Sequence, residues 1–212
     1  MKQLLFVLLL APAIAGAQSY TYPSFQLPTI VEREYNFAAA DAIRAGTTLL
    51  VQWREQVATR WQLGVDAGLA DPEGNASTRL VLGGHAAFQL TRETADFPFD
   101  VALTSGVGFS AAAGRNVVRV PLGASVGKRL EFDSGPPVTM FAHPRLSLDR
   151  CNDCVAGGSA GKLNLSADFG VNVQLSAQVG LRVITTMSGG DYFGSGNDLG
   201  LSVAWTPKGL RK

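Results

Sequence analysis

Charge is scarce in this chain, and lysine especially so. Charged residues make up 17% of it, against about 25% in ordinary soluble domains. The outer face of a soluble β-protein would carry many Lys and Glu, so the shortage argues against a surface that lives in water. Long apolar runs are missing as well. Past residue 17 none approaches the roughly 20 residues that a membrane-spanning helix needs, which excludes a helical bundle in a bilayer. There is no glycine-rich phosphate loop and no helix-borne basic patch. Cysteine is limited to Cys151 and Cys154, and histidine to His85 and His143.

What is present begins with an export signal. Lys2 precedes the apolar run Leu4 to Leu10, which continues through Ala11 to Ile14, and Ala15-Gly16-Ala17 supplies small residues for cleavage before Gln18. A charged start, a short apolar core and small residues at its end are the marks of a secretory signal peptide over residues 1–17. Without Lys2, the 18 basic and 17 acidic residues become 17 of each. A mature chain with no net charge gives no reason to expect nucleic acid as a partner.

From about residue 31 the sequence alternates. Leu163, Leu165, Ala167, Phe169, Val171, Val173 and Leu175 fall on one face of an extended segment, and Asn164, Ser166, Asp168, Gly170, Asn172 and Gln174 on the other. Successive side chains of a strand point to opposite faces, so this is a strand with one apolar and one polar side. Its length exceeds the ~9 to 11 residues with which a tilted strand crosses hydrocarbon. The pattern recurs over 61–69, 79–90, 100–109 and 118–132, and more weakly over 45–55, 138–149, 179–188 and 198–206. Val31 to Ala40 adds a first strand and makes ten; eight result if two weak segments do not span. Trp53, Trp61, Phe88, Phe99, Phe132 and Trp205 gather at one end of these strands, as an interfacial aromatic belt would. Such a chain can live in a bilayer only as a closed barrel, in which every backbone group is paired.

The last strand carries the most specific signal. Asp198, Gly200, Val203 and Trp205 read polar, glycine, apolar and aromatic at fixed spacing, which resembles the sorting signal of bacterial outer-membrane β-barrels. The resemblance implies an all-β, single transmembrane antiparallel up-and-down barrel over residues 31–206. It further implies outer-membrane lipid as surroundings, delivery by the barrel assembly machinery and a periplasmic carboxyl end. On that orientation 56–59, 93–98, 133–137 and 176–178 are periplasmic turns. Residues 71–75, 113–116, 151–161 and 188–197 are then outer loops, with 207–212 a periplasmic tail. Residues 18–30, with Pro23 and Pro28, read as a periplasmic lead-in or a small plug.

Candidate chemistry is sparse. Cys151 and Cys154 form a C-x-x-C in the longest expected outer loop; an oxidising compartment favours a local disulfide over a metal or redox pair. The inward face holds Arg54, Asp66, Arg79, His85, Asp100, Arg119, Arg129, Glu131, His143, Arg145, Asp168 and Arg182, which reads as a space-filling ion-pair network, with an anion-conducting lumen as the alternative. The His-x-Ser pair of outer-membrane lipid A deacylases is absent, since His85 precedes Ala86-Ala87 and His143 precedes Pro144-Arg145. Ser147, His143 and Asp149 share a face only because of period 2. No catalytic residue, cofactor or metal site is therefore expected. The expected function is a small non-enzymatic barrel with a structural, adhesive or narrow-pore role. A lipid-facing enzyme without a known motif stays open, as does a periplasmic lipocalin-like carrier with its apolar face turned inward.

Overall fold

The computed structural model describes residues 24–42, 46–71, 77–112, 115–155, 158–189 and 196–208. The expected signal peptide lies outside the described residues. Ten strands follow one another: β1 (Arg33–Ala42), β2 (Gly46–Ala58), β3 (Trp61–Asp71), β4 (Arg79–Thr91), β5 (Asp100–Ala112), β6 (Arg115–Leu130), β7 (Val138–Val155), β8 (Gly158–Gln174), β9 (Val179–Gly189) and β10 (Gly196–Trp205). Each pairs antiparallel with its sequence neighbours, and β1 pairs with β10. The sheet closes into a barrel with no free edge, so the ladder satisfies the strand backbones without water.

Alternation decides which way each side chain points. On β8, Leu163 is 65% exposed and Leu165 63%, whereas Asp168 is fully buried and Asn164, Ser166 and Asn172 nearly so. The other strands repeat this: Leu49, Val65, Leu82, Leu122, Leu148 and Leu201 lie outside, while Gln52, Arg54, Gln62, Asp149 and Arg182 lie inside. An apolar exterior around a polar interior inverts a lipocalin, and removes the lipocalin-like carrier as a reading. It is the arrangement of a barrel whose solvent is lipid.

One end of the barrel wears an aromatic girdle. Trp53, Trp61, Phe99, Phe132 and Trp205 are exposed there. Tyr35 stacks on Trp205 across the closing pair at 5.5 Å between ring centroids, and Trp61 packs on Phe88 at 5.0 Å. The connections at this girdle end are 59–60, 92–99, 131–137 and 175–178.

Two expectations need correction. Residues 151–155 and 158–161 are strand instead of loop, because β7 runs to Val155 and β8 starts at Gly158, with Cys151 opposite Ala160 and an irregularity before Val155. The two strands are each other's nearest partners, so the ladder continues above the apolar zone even though neither face there must be apolar. Nor is the segment before β1 a lead-in outside the barrel. Its described part, from Ser24, turns into the lumen, where Phe25, Gln26 and Ile30 are buried.

Candidate functional site

The lumen is organised around that segment. Phe25, with φ at +52°, joins an apolar cluster with Ala38, Leu50, Val81, Phe141 and Ile184, all inward-pointing and all buried. A positive φ at a bulky non-glycine residue costs energy and persists where the surroundings dictate it. Here the surroundings do so on both sides of the residue. The Phe25 carbonyl accepts from Arg54 Nη1 at 3.1 Å and Arg182 Nη1 at 2.8 Å. The Ser24 carbonyl accepts from Arg54 Nη2 at 2.6 Å and Gln52 Nε2 at 3.3 Å.

Further anchors follow along the segment. Ser125 donates to the Gln26 carbonyl at 2.8 Å. Gln89 Nε2 donates to the Pro28 carbonyl at 2.8 Å, while its Oε1 accepts from Ile30 N–H at 2.9 Å. Thr29 donates to Asp100 at 2.7 Å, and Gln62 to the Val31 carbonyl at 3.0 Å. The segment lacks a strand partner of its own, so lumen side chains serve its backbone, as buried polar groups require.

Two charged clusters hold it. Glu34 lies between the guanidiniums of Arg54, at 2.7 Å, and Arg182, which also bonds it through Nη1 at 2.9 Å. These three side chains are nearly solvent-free. The second cluster centres on Asp168. Its Oδ1 accepts from Arg145 Nη2 at 2.6 Å and Thr186 at 2.7 Å, and its Oδ2 from the Ser24 N–H at 3.1 Å and hydroxyl at 2.8 Å. Ser24 Oγ lies 2.6 Å from His143 Nδ1, and Thr104 Oγ1 lies 2.8 Å from His143 Nε2. One tautomer satisfies the whole chain: Thr104 donates to Nε2, Nδ1–H donates to Ser24, and Ser24 donates to Asp168.

That direction bears on catalysis. In that tautomer His143 Nδ1 donates to Ser24 instead of accepting its proton, so the two do not form a serine–histidine nucleophile pair. The alignment of His143, Ser147 and Asp149 does no better: positions four apart on a strand are roughly 13 Å apart, and Asp149 is bound by Arg119 at 2.6 Å.

The structure brings Arg54, Asp66, His85, Arg119, His143, Arg145, Asp168 and Arg182 together inside, and buries Arg79. Arg129 and Glu131 are corrections: they pair with each other in the open at the girdle-end rim. Glu34, Asp149 and Asp198 were missing from the expected set, although the first shares its face with Asn36 and the second with His143 and Arg145. Against Arg54, Arg79, Arg119, Arg145 and Arg182 stand Glu34, Asp66, Asp100, Asp149, Asp168 and Asp198. The lumen therefore carries no excess of arginine that would favour an anion path. A cavity of about 90 Å³, lined by Ser24, Arg54, Asp66, His85, Thr104 and Arg119 among others, has room for a few ordered waters.

Asp198 and Gly200 point inward and Val203 and Trp205 outward. Cys151 is fully buried beside Val117; the side chain of Cys154 lies outside the described residues. Among the described residues no cluster of three His, Cys, Asp or Glu could hold a metal.

No protein family and no curated protein matches the chain. Solved structures similar to it include the KdgM porin in complex with disordered oligogalacturonate, at 8% identity and a TM-score of 0.44 over 82% of this chain and 99% of that one. The amino-terminal β-barrel domain of Pseudomonas aeruginosa OprF is similar at 10% identity and 0.37, over 82% and 95%. Neisserial surface protein A is similar at 13% and 0.33, over 81% and 91%.

Proposed function

We propose that this chain is a non-enzymatic barrel of the bacterial outer membrane, exported by a signal peptide cleaved before Gln18, whose narrow lumen is held shut by its own amino-terminal segment. The observation that carries the reading is the burial of residues 24–30 among lumen side chains, with both carbonyls of Ser24 and Phe25 bound by arginines. The girdle end is the periplasmic one on this reading, so the exported chain enters its lumen from the side on which it is delivered. Asp198, Gly200, Val203 and Trp205 are the segment read by the barrel assembly machinery, and Cys151 and Cys154 form a disulfide at the outer tip of the β7–β8 hairpin.

Single-channel recording in planar bilayers tests this. The full mature chain should stay closed, and a chain lacking residues 18–31 should give discrete conductance steps. A synthetic peptide of residues 18–31 should block those steps when added from the girdle side only. A deleted barrel that folds but never conducts would overturn the pore and leave the structural or adhesive role. The tall wall of β6, β7 and β8, with 16, 18 and 17 residues against 10 or 11 in β1, β3, β9 and β10, is the feature that favours that second role.

A further inference from the structure

The segment in the lumen has the character of a ligand, and its anchor residue indicates what else the lumen would hold. We propose that the Phe25 position is a binding site for small aryl-alkyl carboxylates, which compete with the amino-terminal segment for it; the proposal rests on the plugged-pore reading above.

Three features converge there. The first is an apolar pocket in an otherwise polar interior. Leu50, Val81, Phe141 and Ile184 point inward, where the lumen otherwise carries Gln, Asn, Ser, Thr and charge with small apolar residues such as Ala38 and Ala70, and they gather with Phe25. Strand period does not require this, since the inward face is polar elsewhere on β2, β7 and β9; the apolar residues make sense as the walls of a site for a ring. The pocket is also shaped around its occupant's neighbours. Phe141 lies over Gly170, where a Cβ would come within 2.5 Å of the Phe141 ring and 2.9 Å of Ile184. Glycine at 170 is what lets both side chains reach the lumen.

The second feature is the donor set at the mouth of this pocket. Arg54 Nη1 and Nη2, Arg182 Nη1 and Gln52 Nε2 all aim at the two carbonyl oxygens that flank the ring. Peptide carbonyls are neutral acceptors, and guanidiniums bind carboxylates more strongly than they bind carbonyls, through charge-assisted and bidentate bonds. The third is local charge. Two guanidiniums share the single carboxylate of Glu34, and the next carboxylate, Asp66, lies behind Gln52 rather than against the two carbonyl oxygens, so the donors that face those oxygens are cationic and meet only neutral acceptors. A carboxylate placed there would accept charge-assisted bonds from both guanidiniums, which the present occupant does not. A ring in an apolar pocket with an oxyanion a short linker away is an aryl-alkyl carboxylate, of which hydrocinnamate is the simplest probe. Phe25 holds the site only in a left-handed conformation that phenylalanine seldom adopts, so the occupant it competes with need not be a tight binder.

The test uses the temperature at which folded barrel converts to the slower or faster unfolded band on a gel. It is read on the full mature chain, on full-length Phe25→Ala and on the chain lacking residues 18–31. Millimolar hydrocinnamate should raise the transition of Phe25→Ala and of the deleted chain by several degrees and leave the parent unmoved, its site being filled. Acetate, which lacks the ring, and 3-phenylpropylammonium, which reverses the charge, should do neither at matched ionic strength. Phe25→Ala removes the ring that seats the segment and leaves the chain whole, so hydrocinnamate has only the two backbone carbonyls to displace from Arg54, Arg182 and Gln52, and the variant keeps the test alive should the deleted chain fail to fold. No shift in Phe25→Ala with hydrocinnamate, or an equal shift with acetate, overturns the site. Conductance is a separate readout: a deleted chain that binds hydrocinnamate yet stays closed overturns the pore and keeps the site. One that conducts and is blocked by its peptide but ignores hydrocinnamate keeps the pore and loses the site.

Discussion

At the scale of single residues, the interior is decided by a few side chains that serve several partners at once. Glu34 is the clearest, because two buried arginines depend on it. Breaking a buried ion pair by removing one partner costs about 3–5 kcal/mol, since the other charge stays in low dielectric. Glu34→Ala should lower the urea midpoint of refolded barrel by that order, while Glu34→Gln, which keeps one acceptor, loses less; equal loss would mean that the acceptor is worth nothing without the charge, and no loss in Glu34→Gln that the charge is unimportant. Asn172 shows how a lumen position can be intolerant too. It accepts from Arg182 Nε at 3.2 Å, so Asn172→Arg sets a second guanidinium against the first and should impair folding as Val171→Arg does on the lipid side, where an arginine costs about 2–4 kcal/mol. Glycine divides in the same way. A Cβ at Gly127 would lie 2.4 Å from the Met140 carbonyl oxygen, whereas at Gly84 the nearest atom is 3.9 Å away. Gly127→Ala should cost about 1–3 kcal/mol through forced backbone movement, and Gly84→Ala should be neutral to mildly stabilising; refolding yield of the two variants separates them.

At the scale of elements, how much was legible depended on whether lipid was watching. Where a strand meets hydrocarbon on one side and the lumen on the other, period 2 is enforced and both faces of β3 and β8 can be read residue by residue. Above that zone the constraint lapses, which is why the Gly- and Asn-containing ends of β7 and β8 read as a loop although they pair with each other. The segment before β1 was equally opaque. Its contacts are backbone carbonyls held by side chains from distant strands, and no local pattern announces such partners. Pro121 and Pro144 lie within strands although proline is disfavoured in a central strand, and the alternation around them outweighs that; pair assignments lapse around them yet resume in the same register on both sides. The closing strand yields a prediction. Trp205 stacks on Tyr35 across the β1–β10 seam, an aromatic pair worth about 0.5–1.5 kcal/mol beyond its buried area. Trp205→Ala should reduce folded barrel in the outer membrane more than it reduces refolding of purified chain in detergent. Thr206 N–H still donates to the Gln178 carbonyl at 2.7 Å, so the ladder outlasts Trp205 by one residue, and removal of residues 207–212 should be tolerated where removal from 206 is not. Normal delivery of Trp205→Ala, with loss on deleting 207–212, would move the assembly signal to the tail.

At the scale of the whole molecule, two closures are superimposed, the sheet upon itself and the lumen upon its own chain, and they differ in kind. The sheet closes through a continuous ladder from β1 round to β10, so unfolding has no free edge from which to start. Unboiled protein should therefore migrate differently from boiled protein in dodecyl sulfate, and identical mobility would contradict a closed barrel. The lumen closes through side chains that lose their partners when the segment leaves. Asp168 Oδ2 would forfeit both donors from Ser24, His143 Nδ1 its acceptor, and Arg54 its two carbonyls. Water can replace each of them. If the segment is a gate, the chain lacking residues 18–31 should keep its heat-modifiable band and only convert at a lower temperature, because the ladder is intact and hydration offsets much of the loss. If it is instead a core without which the barrel cannot form, the band should vanish, and adding the peptide during refolding should restore it. Peptide added after refolding distinguishes the two outcomes directly: it should raise the conversion temperature of a gated barrel and do nothing for a chain that never closed.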